Sequence, residues 1–316
     1  FIAMAAKPEV GLVLLGFGGA NKSFAELVVE KEEELPFRPR IRAICTGKSG
    51  VAVTELNEAV DLCAALKDGV ASLPSARPGV LGLTPEQTVE LLGELKRRGD
   101  VQVVVEGIPS AHKDAEPALS FARAALGLGL HYVTANKAPV ARACDELKAS
   151  ALANQCQFLF ESACMDGVPI FNMARHCLPH ARVTGFEGVL NSTTNMILEM
   201  LEQSPSKSFA DALKVAQDQG IAEADPSADI DGLDAAAKCV VLARALGLDP
   251  QASMDCVHPL EAIRDVTAAT IAETLPDRWK LICRGKSIAG RAQLSVTLEK
   301  VPVSSPMHGL ASSSSL

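Results

Sequence analysis

Apolar residues in the first half of the chain fall into short solid runs, separated by longer stretches with helical spacing. Val10 to Leu15 is such a run, and its lack of alternation predicts a strand buried on both faces. It leads through Gly16-Phe17-Gly18-Gly19-Ala20-Asn21 into a helical pattern carried by Phe24, Leu27 and Val28. Arg40 to Cys45 reads as a second strand, ending in Thr46-Gly47-Lys48-Ser49. Glu55 to Leu66 and Pro85 to Arg98 have helical spacing, and a connection containing Pro74, Pro78, Gly79 and Gly82 joins them. Val101 to Val105 is a further buried strand, followed by Glu106-Gly107-Ile108-Pro109-Ser110, a helix at Pro117 to Leu126, and the run that begins at His131. Strands alternating with helices predict an α/β fold built on a Rossmann-like doubly wound parallel sheet, with ligand at the carboxyl ends of the strands.

The second half has a different rhythm. Val183 to Leu190 reads as a strand running into Asn191-Ser192-Thr193-Thr194-Asn195, a turn suited to capping the helix at Met196 to Leu201 or to contacting a ligand. From Ala235 to Leu246 only Lys238, Cys239 and Arg244 are polar, which predicts a buried helix. Asp231 is its expected N-cap, Asp234 favours the positive end of its dipole, and Gly247 is placed to close it. Beyond Leu248 come helical fragments and a strand-like stretch from Gln293 to Val303. The expected division is a nucleotide-binding domain over residues 1–150 and a second α+β domain over residues 151–316.

Composition narrows the classes of function. With 30 basic against 38 acidic residues and a pI near 5.4, nothing recommends nucleic acid or an anionic membrane as a partner. No apolar run approaches the roughly 18 residues of a membrane span. Nine scattered cysteines without a C-x-x-C pair predict buried thiols in a reducing compartment. A cytoplasmic location is expected, or an organelle stroma if a transit peptide has been removed.

Three stretches carry candidate chemistry on their own. In a nucleotide-binding turn Gly16 permits the tight bend, Gly18 admits the pyrophosphate, and Phe17 and Gly19 complete the loop, while Asn21 replaces the third glycine and strains close helix–strand packing. After the second strand, Lys48 offers a cation where an NAD-specific site offers an acid, which favours NADP with NAD possible; an ordinary polar loop is the alternative. Asp234 and Lys238, four apart, share one helix face. A lysine among Ala, Val and Leu loses hydration, which lowers its pKa, and neighbouring carboxylates pull it back up. That balance suits a proton shuttle.

The segment from Ala216 to Lys238 is similar to the signature of homoserine dehydrogenases. Ala216, Gly220, Ile221, Ala222, Asp225, Pro226, Asp229, Ile230, Gly232, Asp234 and Lys238 all fit it. Thr134-Ala135-Asn136-Lys137-Ala138-Pro139 looks like the family's lysine loop, and Asn191 to Asn195 resembles its N-G-T-T-N turn with Ser192 in place of glycine. The resemblance runs from about Val10 to Met307. It implies nicotinamide-dependent interconversion of L-homoserine and L-aspartate 4-semialdehyde, towards threonine and methionine.

Carried over residue by residue, the resemblance makes Lys238 the acid/base and Lys137 the second candidate, near nicotinamide and substrate. Glu223 and Asp234 would accept from the substrate ammonium, with Asp229 at the same site or ordering the lysine. Ile108 stands where the family usually shows a threonine against the cofactor, and Ser110 is the nearest hydroxyl. Glu161, Cys164, Asp166 and Val168 match a loop whose backbone carbonyls hold a monovalent cation such as sodium. Asp166 has an alternative as a turn residue before Gly167. A homodimer is implied, with the second domain as its dimerisation element. There is no aspartate kinase portion within these residues, and a further glycine-rich stretch and helix is expected after about residue 310 of a longer natural chain. Two rival readings are a different amino-acid dehydrogenase, with no reason to keep the 216–238 pattern, and a non-catalytic nucleotide-binding relative.

Overall fold

The structure is a computed structural model that describes residues 7–111, 114–223 and 225–311. It divides into two compact units, Phe1–Ala163 and Cys164–Leu316. The division falls later than the expected residue 150, because the crossover helix and the strand after it complete the first sheet.

In the first unit, β1 (Glu9–Leu15), α1 (Gly19–Lys31), β2 (Arg38–Cys45), β3 (Val51–Val53), α2 (Leu62–Asp68), α3 (Pro85–Arg98), β4 (Val103–Glu106), α4 (Ala118–Gly127), β5 (His131–Thr134), α5 (Lys137–Ala153) and β6 (Phe158–Leu159) follow one another. They build a sheet of order β3-β2-β1-β4-β5-β6, parallel except for β3. Leu14, Ile41 and Ile44 are fully buried in its core, each contributing about 1.5–3 kcal/mol by leaving water. The direction of winding reverses between the parallel neighbours β1 and β4, and such a switch point opens a ligand crevice at the strands' carboxyl ends.

The helix expected over Pro85–Arg98 forms with those bounds. Thr84 and Gln87 make a reciprocal capping box, Pro85 opens the first turn, and Gly99 ends it in the left-handed region. The helix expected from Glu55 does not form. Thr54 spends its hydroxyl on Glu58 O, Asn57 takes a positive φ of 66°, and Asp61 caps the shorter α2 by accepting from Ala64 N. The local side-chain bonds outcompete the helix over those residues. β3 is a strand that periodicity does not predict, its Val-Ala-Val being too short to stand out from the loop around it.

The short α6 (Ser162–Met165) spans the division. The second unit continues with α7 (Ile170–Asn172), β7 (Gly185–Gly188), α8 (Ser192–Gln203), α9 (Phe209–Asp218), α10 (Ser227–Ile230), α11 (Leu233–Ala245), β8 (Val257–Leu260), α12 (Ala268–Ala272), β9 (Arg278–Ile288) and β10 (Arg291–Val301). Its four-stranded sheet has the order β7-β9-β10-β8, with β9 and β10 a long antiparallel pair. α11 packs on β9 and β10, and its Ala235, Cys239 and Leu242 are fully buried.

Asp231 is not the N-cap of α11. Gly232 holds that position in the left-handed region, and Asp231 instead makes a two-pronged pair with Arg264. Asp234 lies in the first turn as expected, and Gly247 follows the helix end. Among the described residues no helix is long and apolar enough to cross a membrane.

Candidate active site

At the end of β1 the chain turns at Gly16, whose φ is +84°. A Cβ there would stand 2.7 Å from Gly107 O, so both backbone conformation and space demand glycine. Gly18, with no side-chain cap, leads into α1, and a Cβ at Gly18 or Gly19 would meet open space. This is an anion site in form, with free amides and the positive end of a helix dipole. Phe17 is half-buried and packs against the core cluster of the first unit.

Asn21 fits where the third glycine was missed. Its Nδ2 donates to Leu15 O at 3.0 Å and Gly16 O at 2.8 Å, tying α1 to the strand end. Room for it comes from Gly107, where a Cβ would stand 3.0 Å from the Asn21 side chain. The expected strain is therefore relieved by a glycine on the neighbouring strand's loop.

A cavity of about 340 Å³ lies over these strand ends, lined by Leu15, Gly16, Cys45, Thr46, Gly47 and Ile108. Burial pushes the Cys45 thiol up to about 12, against the pull of Arg77, which leaves it protonated and unreactive. Thr46 spends its hydroxyl inside the turn, donating to Gly50 O and accepting from Ser49 N, both at 2.7 Å. Lys48 remains exposed, one residue beyond the cavity lining.

The loops after β4 and β5 are joined by hydrogen bonds. Ser110 Oγ donates to Asn136 Oδ1 at 2.7 Å, and that oxygen also accepts from Ala138 N at 3.0 Å, capping α5. Lys137, half-buried, is thereby the first residue of α5. Ile108 lines this cavity with its apolar side chain, so its position gives no hydroxyl. Beneath these loops lies Glu106, a buried acid that sequence reading passed over; the signal was an acid closing the apolar run Val103-Val104-Val105.

In the second unit the chemistry gathers on α11. Lys238 Nζ stands 3.1 Å from Asp234 Oδ2 and donates to Leu190 O at 2.7 Å. Asn191 donates to Asp229 Oδ1 at 2.6 Å and to Asp234 Oδ2 at 3.0 Å, while its Oδ1 caps α8 by accepting from Thr194 N at 2.8 Å. One asparagine thus fills the expected capping role and also orients two carboxylates. Burial lowers the Lys238 pKa, yet the charge and hydrogen bond of Asp234, with Asp166 adding to them, raise it above the ordinary lysine value. The expected contest is won by the carboxylates. At neutral pH Lys238 is an ammonium.

Glu223 lies on the exposed connection between α9 and α10, whose Glu223 carbonyl accepts from Gln217 Nε2 at 3.1 Å. The hydrogen bonds of the described residues do not draw it into the Lys238 cluster. Of the residues expected to hold a cation, Glu161 lies near the end of the first unit, and Cys164, Asp166 and Val168 lie at the start of the second. Asp166 takes a positive φ of 52° before Gly167, the turn role that was its alternative. Val168 O accepts from Ile170 N at 2.9 Å, and a carbonyl has a second lone pair to offer an ion.

Comparison with known proteins points one way. A profile of the homoserine dehydrogenase family matches residues 169–316. An NAD(+)-dependent homoserine dehydrogenase of Pseudomonas canavaninivorans is 36% identical over 278 residues, covering 87% of this chain and 76% of the relative. A homoserine dehydrogenase of Methanocaldococcus jannaschii is 31% identical, covering 94% of this chain and 85% of the relative. Among solved structures, a hyperthermophilic archaeal homoserine dehydrogenase in complex with NADPH superposes with a TM-score of 0.75 at 26% identity, over 94% of this chain and 84% of that one.

Proposed function

The chain belongs to the homoserine dehydrogenase family of NAD(P)-dependent oxidoreductases, and we propose that Lys238 is the acid/base with which it interconverts L-homoserine and L-aspartate 4-semialdehyde. The observation that carries this is a lysine with 15% side-chain exposure, paired to Asp234 and bonded to Leu190 O. An ammonium has three donors. Asp234 and Leu190 O take two, which leaves one for a substrate oxygen.

When bound, the nicotinamide supplies the two-electron carrier, taking hydride from C4 of homoserine or returning it to the aldehyde. In the reducing direction Lys238 protonates the oxygen as negative charge develops on it. In the oxidising direction Lys238, once deprotonated, removes the hydroxyl proton. Asp234 sets the cost of that deprotonation, and Asn191 holds Asp234 and Asp229 in place. Glu223, Asp229 and Asp234 supply acceptors for the substrate ammonium, and Lys137 is the second candidate for the acid/base.

The nucleotide is held by the Gly16–Gly19 turn, with NADP preferred to NAD. Relatives are described with both nucleotides, so the preference rests on Lys48 and on the lack of an acid in the 46–50 turn. The hard oxygens of Glu161, Cys164, Asp166 and Val168 suit a monovalent cation such as sodium. A homodimer and a cytoplasmic location complete the reading.

The test follows absorbance at 340 nm as purified protein is given homoserine with NADP or NAD, for wild type and Lys238→Met. Methionine fills the same volume without shuttling a proton, so turnover should fall by about two or more powers of ten while nucleotide binding persists. Near-normal turnover in the variant would pass the role to Lys137.

A further inference from the structure

Glu106 ends β4 with a carboxylate that is only 1% exposed, and the reaction proposed above makes no use of it. Its two oxygens divide their bonds between two loops. Oε1 accepts from the backbone N–H of Ile108 at 2.9 Å and from Asn136 Nδ2 at 3.5 Å. Oε2 accepts from Thr134 Oγ1 at 2.5 Å and from the Tyr132 hydroxyl at 3.4 Å. Thr134 Oγ1 accepts in turn from Asn136 N at 2.9 Å, and Asn136 Oδ1 accepts from Ser110 Oγ. The bonds close a ring through the 107–110 turn, the cap of α5 and the ends of two strands.

We infer that Glu106 is a positioning residue, whose carboxylate holds the Ile108–Ser110 turn and the start of α5 as one body and thereby fixes Lys137. This rests on the reading of Lys137 given above. The four donors facing Glu106 require a group that only accepts. Glutamine has the same size but turns an NH₂ towards Thr134. Thr134 Oγ1 would then receive protons from two N–H groups, and its own hydroxyl hydrogen would lose its acceptor. The ring opens where it reaches Asn136, one residue before Lys137.

Stability and activity should separate. Burial raises the Glu106 pKa, opposed by the bonds from Thr134, Ile108, Asn136 and Tyr132, so the charge is held at a cost to the fold. A neutral amide escapes that cost. A residue that merely supports the fold would lose stability and activity together.

The experiment is a double-mutant cycle on the full chain with Glu106→Gln, Lys137→Ala and both, reading kcat, the KM for homoserine and the thermal midpoint. Glu106→Gln trades the cost of a buried charge against that of an unsatisfied buried hydroxyl, so it should melt close to the wild-type temperature and lose about 10- to 100-fold in kcat, the range expected for a group misplaced by about an ångström. In the Lys137→Ala background the same change should cost little more, because both act through one group. If the two losses multiply while Lys137→Ala alone is slow, Glu106 does not act through Lys137 and the inference is wrong. A kcat for Glu106→Gln within about threefold of wild type would overturn it as well. Wild-type turnover in Lys137→Ala would instead remove the reading of Lys137, and this inference with it. Should Glu106→Gln fail to fold, Thr134→Val, which deletes the bridging hydroxyl and keeps the shape, takes its place in the cycle.

Discussion

Asn191 Nδ2 lies 3.0 Å from Asp234 Oδ2, joining the cap of α8 to the first turn of α11 across 43 positions of sequence. The acid that pairs with Lys238 is therefore oriented by a residue whose other task is to start a helix. Asn191→Asp keeps a capping oxygen and replaces the donor by a charge facing Asp229 and Asp234. It should fold and lose about tenfold or more in kcat, as expected when a buried charge pair is disturbed by like charge. Asn191→Ala should cost about 0.5–2 kcal/mol of stability through the lost cap. Urea unfolding beside steady-state rates separates the two, and an Asn191→Asp enzyme of normal kcat would leave Asn191 as a cap alone.

The pH dependence of homoserine oxidation follows from the raised pKa of Lys238. The base form is the deprotonated amine, so kcat/KM for oxidation should climb with pH as far as the folded pKa, above 10.5. Asp234→Asn removes the largest upward influence while burial remains, so the climb should shift to lower pH. A profile unmoved by Asp234→Asn would mean that some other group is being titrated.

The proposed preference for NADP rests on the exposed Lys48. Thr46 is committed to Gly50 O and Ser49 N inside its turn, which leaves Lys48 as the cation to meet a ribose 2′-phosphate. NADP should bind better than NAD, and Lys48→Glu should narrow or reverse the ratio by removing attraction and adding repulsion. Catalytic efficiencies with both nucleotides decide this. A wild-type preference for NAD, or a ratio insensitive to the substitution, would place this loop away from the ribose.

Lys280 gives a stability prediction with an unusual sign. The residue is 1% exposed, and its ammonium donates to Asn195 Oδ1 and Leu310 O, both at 2.6 Å. Burial, aided by Arg278, lowers its pKa from 10.5 to about 8, against the pull of Glu199 and Glu202. Between those values the unfolded chain holds the proton and the folded chain does not, so stability from this group rises with pH across about 8 to 10.5. Lys280→Met should lose that rise. Denaturant midpoints at the two ends of the window, compared between wild type and variant, test it, and equal slopes would contradict it.

Sequence alone determined the elements whose signals are local. The glycine turn after β1, the capped helix Pro85–Arg98, the buried α11 and the spacing of Asp234 and Lys238 are each written within a few neighbouring residues, where periodicity and capping chemistry act. The 216–238 pattern carried the family for the same reason. Tertiary structure decided what depends on partners far along the chain. Asn21 is tolerated because Gly107 yields it space, Asp231 leaves its helix for Arg264, and Asn191 reaches Asp229 and Asp234. The Lys238 pKa belongs to this second group. Its sign is a small difference between desolvation and several charges, and that difference is set by distances that spacing along one helix does not supply.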